Sequence, residues 1–227
     1  MTTILVTGAN RGIGLEFVRQ YAAAGVAVLA VCRSPNAATD LRALTDGAAV
    51  ELFAADVSDP TDVAALNSAL DRRTIDILIN NAGVDGRRAA TFNAMDYDAF
   101  AQTLAVNTIS PVRIIDALRQ RINAGGTGRI INISSNLGGI GQAGGGHYAY
   151  RASKAALNMA TKAIAEDLRG AAIVAAFHPG WVQTDMGGAS APLSAEKSVA
   201  GMRAAIEALT PDDSGGFFNY DGARLPY

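Results

Sequence analysis

The amino-acid sequence predicts a single α/β domain: a doubly wound sheet of about seven mostly parallel strands with helices on both faces. Short β-branched runs alternate with longer runs of helical periodicity along the whole chain, the order that parallel strands joined by right-handed crossovers require. The chain has 227 residues, 49% of them hydrophobic, enough for a sizeable core. Several apolar runs close on Gly, Asn, Asp or Arg, which places a ligand crevice at the carboxyl ends of the strands. No repeat, linker or low-complexity tail divides the chain, so residues 1–227 read as one domain.

Thr3 to Thr7 is a short apolar run that meets glycine at once, and reads as a buried strand. Gly8-Ala9-Asn10-Arg11-Gly12-Ile13-Gly14 follows, and then a helical run from Leu15 to Ala24. Strand, glycine turn and helix N-terminus together suit a pyrophosphate: the backbone can approach closely, and free N–H groups and the helix dipole favour the anion. Val26 to Val31 reads as a second strand, closed by Cys32-Arg33-Ser34-Pro35. An acidic residue at this point would hold a ribose 2′-hydroxyl, whereas a basic one accommodates a 2′-phosphate. Arg33 is present, no acid is, and Arg11 lies within reach of the same phosphate, which favours NADP(H) over NAD(H).

Asn36 to Thr45 reads as a short helix and Val50 to Ala54 as a third strand, ending at Asp56-Val57. Ser58 or Asp59 caps the next helix, with Pro60 in its first turn and its end near Asp71. Ile75 to Ile79 is a fourth strand, closed by Asn80-Asn81-Ala82-Gly83, and Val84 to Asn93 is a polar loop containing Arg87-Arg88. Asp96 to about Asn123 is helical, with a kink or break expected at Pro111. Asn107 lies mid-helix, where a buried amide needs structural partners or a site to serve. Gly128 to Ile133 is a fifth strand with Ser134-Ser135 at its end, and the Gly-rich stretch Asn136 to Gly146 reads as a flexible wall. Ala171 to Phe177 is a sixth strand, followed by His178-Pro179-Gly180-Trp181-Val182-Gln183-Thr184-Asp185. A small lid is expected around residues 185–200, then a helix from a Ser194 cap to Leu209 and a short last strand over Gly216 to Tyr220.

The chemistry is concentrated in Tyr150-Arg151-Ala152-Ser153-Lys154, which opens a helical run to Leu168. Residues four apart share a helix face, so a phenol and an ammonium lie side by side. A cation beside a phenol favours the phenolate, which makes the pair a candidate proton donor near neutral pH. The plain alternative is a surface tyrosine beside a solvated lysine. His147 and His178 flank the same region as rival proton carriers, and Trp181 suits packing or a pocket wall.

Composition narrows the partners. Net charge is 19 − 21 = −2, which does not point to nucleic acid or an anionic membrane. The one cysteine, Cys32, rules out an internal disulfide and fits a reducing compartment. No signal-peptide pattern or membrane-length apolar run is seen, so a cytoplasmic location is expected. No metal-ligand cluster stands out.

Taken together these motifs resemble the short-chain dehydrogenase/reductase family over the whole chain. Thr7 to Gly14 is similar to its T-G-x-x-x-G-x-G turn, and Asn80-Asn81-Ala82-Gly83 to its N-N-A-G motif. Pro179-Gly180 with Thr184 resembles its P-G-x-x-x-T, and Asp56-Val57 the pair that meets the adenine. Asn107, Ser135, Tyr150 and Lys154 match its catalytic tetrad, with Ser134 the competing serine. The region around Tyr150 looks most like the branch of C-factor and sniffer-type carbonyl reductases. The family's usual serine-to-tyrosine spacing is slightly shorter, and the difference falls in Gly144-Gly145-Gly146.

The resemblance implies a Rossmann-type fold and an NADP(H)-dependent oxidoreductase acting on a carbonyl or alcohol. Tyr150 is the implied acid, Ser135 a donor to the same oxygen and Lys154 a partner of Tyr150 and of the ribose. Asn107 is the implied holder of a proton-relay water. Gly8, Asn10, Arg11, Gly12, Ile13 and Gly14 would meet the phosphates with Arg33. Asp56 and Val57 would meet the adenine. Asn80, Ala82, Gly83, Pro179, Gly180, Val182 and Thr184 would hold the rest, with Tyr150 and Lys154 at the reactive end. Leu137, Ile140, His147, Trp181 and Met186 are candidate walls for a modest apolar substrate. A homodimer or homotetramer is implied through the helices bearing Asn107 and Tyr150. The other reading is an NADP(H)-binding sensor that turns nothing over; intact Ser135, Tyr150 and Lys154 weigh against it.

Overall fold

Apolar residues alternate in and out along each strand, yet both faces are buried, because helices cover both sides of the sheet. The computed structural model describes residues 2–47, 49–86, 92–122, 128–141 and 143–227. The strands are Thr3–Thr7 (β1), Ala27–Cys32 (β2), Val50–Ala54 (β3), Ile77–Asn80 (β4), Gly128–Ile133 (β5), Ala172–His178 (β6) and Phe217–Asn219 (β7). They form one 7-stranded sheet in the order β3-β2-β1-β4-β5-β6-β7. Every neighbouring pair is parallel. The order turns back between β1 and β4, so a crevice opens beyond their carboxyl ends.

Gly12–Ala23 (α1), Thr39–Arg42 (α2), Pro60–Ala69 (α3), Tyr97–Leu104 (α4), Ser110–Leu118 (α5), Tyr148–Asp167 (α6) and Ala195–Ala208 (α7) complete the fold. On one face Phe17 and Tyr21 of α1 and Met202 and Ile206 of α7 pack with Ile4 and Val6 of β1. On the other, Leu66 of α3, Ile114 and Leu118 of α5 and Ala165 of α6 pack with Leu5. Asp59 caps α3 by accepting from the Thr61 and Asp62 N–H groups, and Ser194 caps α7 through Lys197 N–H.

The structure adjusts several sequence expectations. The run Asn36 to Thr45 holds only a short 3-10 turn at Pro35–Ala37 and the single turn of α2. Ile75 falls outside β4 and makes an isolated bridge with Ile122. The interruption expected at Pro111 takes the form of a π-turn just before it, and the helical run does not end there. The chain stays helical from Tyr97 through a π-turn at Ala105–Ile109 into α5, where Pro111 occupies an early position that needs no intrahelical N–H. The expected end at Asn123, and Arg87-Arg88, lie outside the described residues. Helix α6 begins at Tyr148, with His147 left-handed before it. Of the expected lid over 185–200, residues 195–200 belong to α7, which packs on α1; only 185–194 lack regular structure.

The outer edge of β7 is covered by the chain's own end. Leu225 N–H donates to Phe217 C=O at 2.7 Å, and Asn219 N–H to Ala223 C=O at 2.8 Å. Tyr227 stacks on Phe217 and donates its hydroxyl to Gly215 C=O at 2.5 Å. An edge that would otherwise offer free backbone groups is thereby blunted.

Candidate active site

A cavity of about 540 Å³ runs across the carboxyl edge of the sheet. At one end stand Arg33, Ser34, Asp56, Val57 and Ser58. Asp56 accepts from Ser58 N–H at 2.8 Å and Ser58 Oγ at 2.6 Å. Those bonds, with the more distant Arg33, hold its carboxyl below the usual range. The middle is roofed by the glycine turn, with Gly8, Asn10, Arg11, Gly12 and Ile13 on its wall. Helix α1 starts here, so its first N–H groups face the cavity mouth. Gly14 lies one turn further in and serves the turn's packing: a Cβ there would collide with the Gly8 carbonyl oxygen.

Tyr150, Lys154, Ala82, Gly83, Pro179 and Thr184 line the other end. The Lys154 ammonium lies 5.7 Å from the centre of the Tyr150 ring. It donates to Ile133 C=O at 2.7 Å, which anchors it at the end of β5. Burial pushes its pKa down from 10.5 to about 8, so it remains largely cationic at neutral pH. Gly83 separates Lys154 from Asn107: a Cβ there would lie 3.8 Å from Nζ and 3.3 Å from Asn107 Oδ1. Asn107 is fully buried behind this point, on the π-turn. Its Oδ1 accepts from Val84 N–H at 2.8 Å, and its Nδ2 donates to Val84 C=O at 2.8 Å and to Ser153 Oγ at 3.0 Å. Its own carbonyl cannot receive the usual bond from four residues on, because Pro111 has no N–H.

The two serines are held differently. Ser134 Oγ is engaged by Asn158 Oδ1 at 2.6 Å, and Ser134 is buried. Ser135 Oγ caps the turn Asn136–Gly138 by accepting from Leu137 N–H at 3.1 Å, with a weak contact to Asn136 at 3.4 Å. The Ser135 hydroxyl hydrogen is thus the freer of the two.

Six expected site residues do not line the cavity: Gly14, Asn80, Asn107, Ser135, Gly180 and Val182. Asn80 is turned into the sheet, where its Nδ2 donates to Asn132 Oδ1 at 2.9 Å. The lining residue is Asn81, whose Nδ2 donates to Thr7 C=O at 2.9 Å and ties β4 to the glycine turn. Gly180 is occupied in packing against Leu193 and Tyr220, and Val182 is buried beside Leu193. Of the expected substrate walls only Met186 lines the cavity; Trp181 is half exposed and donates Nε1–H to Gly187 C=O at 2.8 Å. Ser34, Ser58 and Asn81 were within reach of a sequence reading, since each adjoins a motif already singled out. Asp185 also adjoins a motif, at Thr184, but nothing local ties it to Arg11, whose guanidinium it holds at 2.9 Å. Of the two histidines neither lines the cavity, and burial drives His178 down to about pKa 4, so it stays neutral.

Comparison with known proteins gives a consistent picture. A model of the short chain dehydrogenase family matches residues 2–193. The C-signal of Myxococcus xanthus is 44% identical over 155 residues, covering 67% of this chain and 93% of that protein. Carbonyl reductase Sniffer of D. melanogaster superposes with a TM-score of 0.93 at 33% identity, covering 100% of both chains. The NADPH-bound carbonyl reductase from chicken fatty liver gives 0.94 at 34% identity, over 100% of this chain and 99% of that one. No described helix is long and apolar enough to cross a membrane.

Proposed function

The chain belongs to the short-chain dehydrogenase/reductase family of oxidoreductases, and from that membership we propose that it is an NADP(H)-dependent carbonyl reductase. It reduces a small, largely apolar aldehyde or ketone, or oxidises the corresponding alcohol. The observation that carries the reading is one continuous cavity with Tyr150 and Lys154 at one end and Arg33 at the other.

The residues present fit the dinucleotide. The cavity volume, about 540 Å³, falls within the range of roughly 300–1,000 Å³ of ligand sites. The glycine turn and the start of α1 supply N–H groups for the pyrophosphate. Arg33 and Arg11 supply cations for a 2′-phosphate, and the acid nearest Arg33, Asp56, is engaged by Ser58. Bound NADPH supplies the hydride.

The protein's own part is proton transfer and positioning. Tyr150 donates its hydroxyl proton to the carbonyl oxygen as that oxygen gains negative charge. Ser135 donates a hydrogen bond to the same oxygen. Lys154, cationic and fixed on Ile133 C=O, favours the resulting phenolate. Asn107 fixes the Val84 backbone over this corner, and the water that returns a proton toward Lys154 is assigned to it on the family resemblance. Self-association with a second copy belongs to the same reading: Ile109 and Met159 are exposed on neighbouring helical segments.

The name of the Myxococcus relative favours a second reading, a nucleotide-binding signal protein without turnover. Retention of Ser135, Tyr150 and Lys154 supports the reductase. The test is NADPH oxidation over a panel of aldehydes, ketones and quinones. Tyr150→Phe should lower kcat by about 10²–10⁴-fold, the worth of a general acid, while leaving NADPH binding intact. Near-normal rates in that variant would remove Tyr150 from the mechanism, and no turnover by the wild type on any carbonyl would favour the signal protein.

A further inference from the structure

Arg11 and Asp185 are 174 residues apart in sequence, yet their side chains meet at 2.9 Å. Both line the cavity, one from the glycine turn and one from the segment after β6. The two segments also touch beside them: a Cβ on Gly12 would sit 3.3 Å from Thr184 Cγ2. The ion pair therefore straps the cavity's mouth. It is open to solvent, with side-chain exposures of 66% and 76%, so it exchanges partners readily. Among the described residues Arg33 makes no ion pair: Asp56 acts on it only from a distance and gives its Oδ1 to Ser58. Of the two guanidiniums available to a phosphate, Arg11 is the one that, among the described residues, is in direct contact with a carboxylate of the chain.

We propose that Asp185 is a specificity-determining residue for the cofactor: it competes with the 2′-phosphate of NADP(H) for the Arg11 guanidinium and hastens release of the spent dinucleotide. The inference rests on the NADP(H) reading of this crevice. A phosphate monoester brings nearly two charges and three acceptor oxygens, so it displaces a single carboxylate from the arginine. A bare 2′-hydroxyl brings no charge and leaves the strap in place. Asp185 consequently weakens NADP(H) and not NAD(H). As the phosphate lifts away, the carboxylate takes the guanidinium back, which speeds departure. Product release limits turnover in many enzymes, so a nearby competitor of modest strength is useful there.

The test is a double-mutant cycle on Asp185→Asn and Arg11→Ala, read by binding rather than turnover. Equilibrium titration and stopped-flow dissociation of NADPH and NADH, followed by nicotinamide fluorescence at low salt, give both quantities. Asp185→Asn should tighten NADPH and slow its release by roughly two- to five-fold, the scale of an exposed ion pair, and leave NADH unchanged. In the Arg11→Ala background the same substitution should change neither nucleotide. An equal gain for both nucleotides, or a gain that survives the loss of Arg11, would overturn the proposal, because Asp185 would then act only through its general field. Unchanged NADPH binding in Asp185→Asn would overturn it too and leave the cofactor reading standing. A wild-type protein that binds neither dinucleotide would remove the reading on which the proposal rests.

Discussion

Replacing Asn107 with alanine separates scaffold from chemistry. The wild-type side chain is fully buried and holds both the N–H and the C=O of Val84 at 2.8 Å. It also donates to Ser153 Oγ, which keeps its own bond to Tyr150 C=O. Asn107→Ala therefore orphans two backbone groups, not three. A buried group left without a partner costs about 1–3 kcal/mol, but Val84 is 37% exposed and water can reach the freed groups, so the variant should lose about 2–3 kcal/mol. In a chain of this size each kcal/mol moves Tm by about 2–4 °C, which predicts a fall of roughly 4–12 °C. Circular dichroism melts, with and without NADPH, measure it, and kcat is taken well below the new midpoint. Val84 adjoins Gly83, against which Lys154 lies, so turnover should fall together with stability. A Tm within about 2 °C of wild type with turnover abolished would refute this reasoning. Asn107 would then act on the reaction directly and not by holding Val84.

Two further outcomes follow from Lys154 and from the glycine turn. The Lys154 ammonium titrates near 8 in the fold against 10.5 unfolded, so between those values the unfolded chain binds more protons and stability rises with pH. Urea unfolding of wild type should gain on Lys154→Met by about 2 kcal/mol between roughly pH 8 and 9.5, and a pH-independent difference would show that burial does not depress the amine and that it stays protonated through this window. Reduction should decline over the same window as the cation is lost. Gly14→Ala drives a methyl into the Gly8 carbonyl oxygen, and overpacking of this kind costs about 1–3 kcal/mol. Dinucleotide affinity should drop by about ten-fold or more with far-UV dichroism unchanged; binding within two-fold of wild type would mean that the turn's shape does not set the phosphate site.

What the sequence revealed is what depends on near neighbours in the chain. Tyr150 and Lys154 meet because any helix places residues four apart on one face, and the Thr3–Thr7 strand must turn at Gly8 whatever packs above it. Asn80 and Asn81 are indistinguishable by composition. Only the strand's pleat decides that Asn80 enters the sheet, where it finds Asn132, while Asn81 faces the cavity. Arg11 likewise carries no mark of Asp185, since that pairing exists only after the sheet has closed. Pro111 shows the limit most clearly. A proline inside a helical pattern reads as a break, yet the adjoining π-turn absorbs it and the helix continues. The π-turn beside it carries Asn107, the residue whose side chain pins Val84 beside Lys154. The proline that looks like a defect in the helix thus adjoins the irregular turn that sets a buried side chain of the site, and only the folded helix shows the two together.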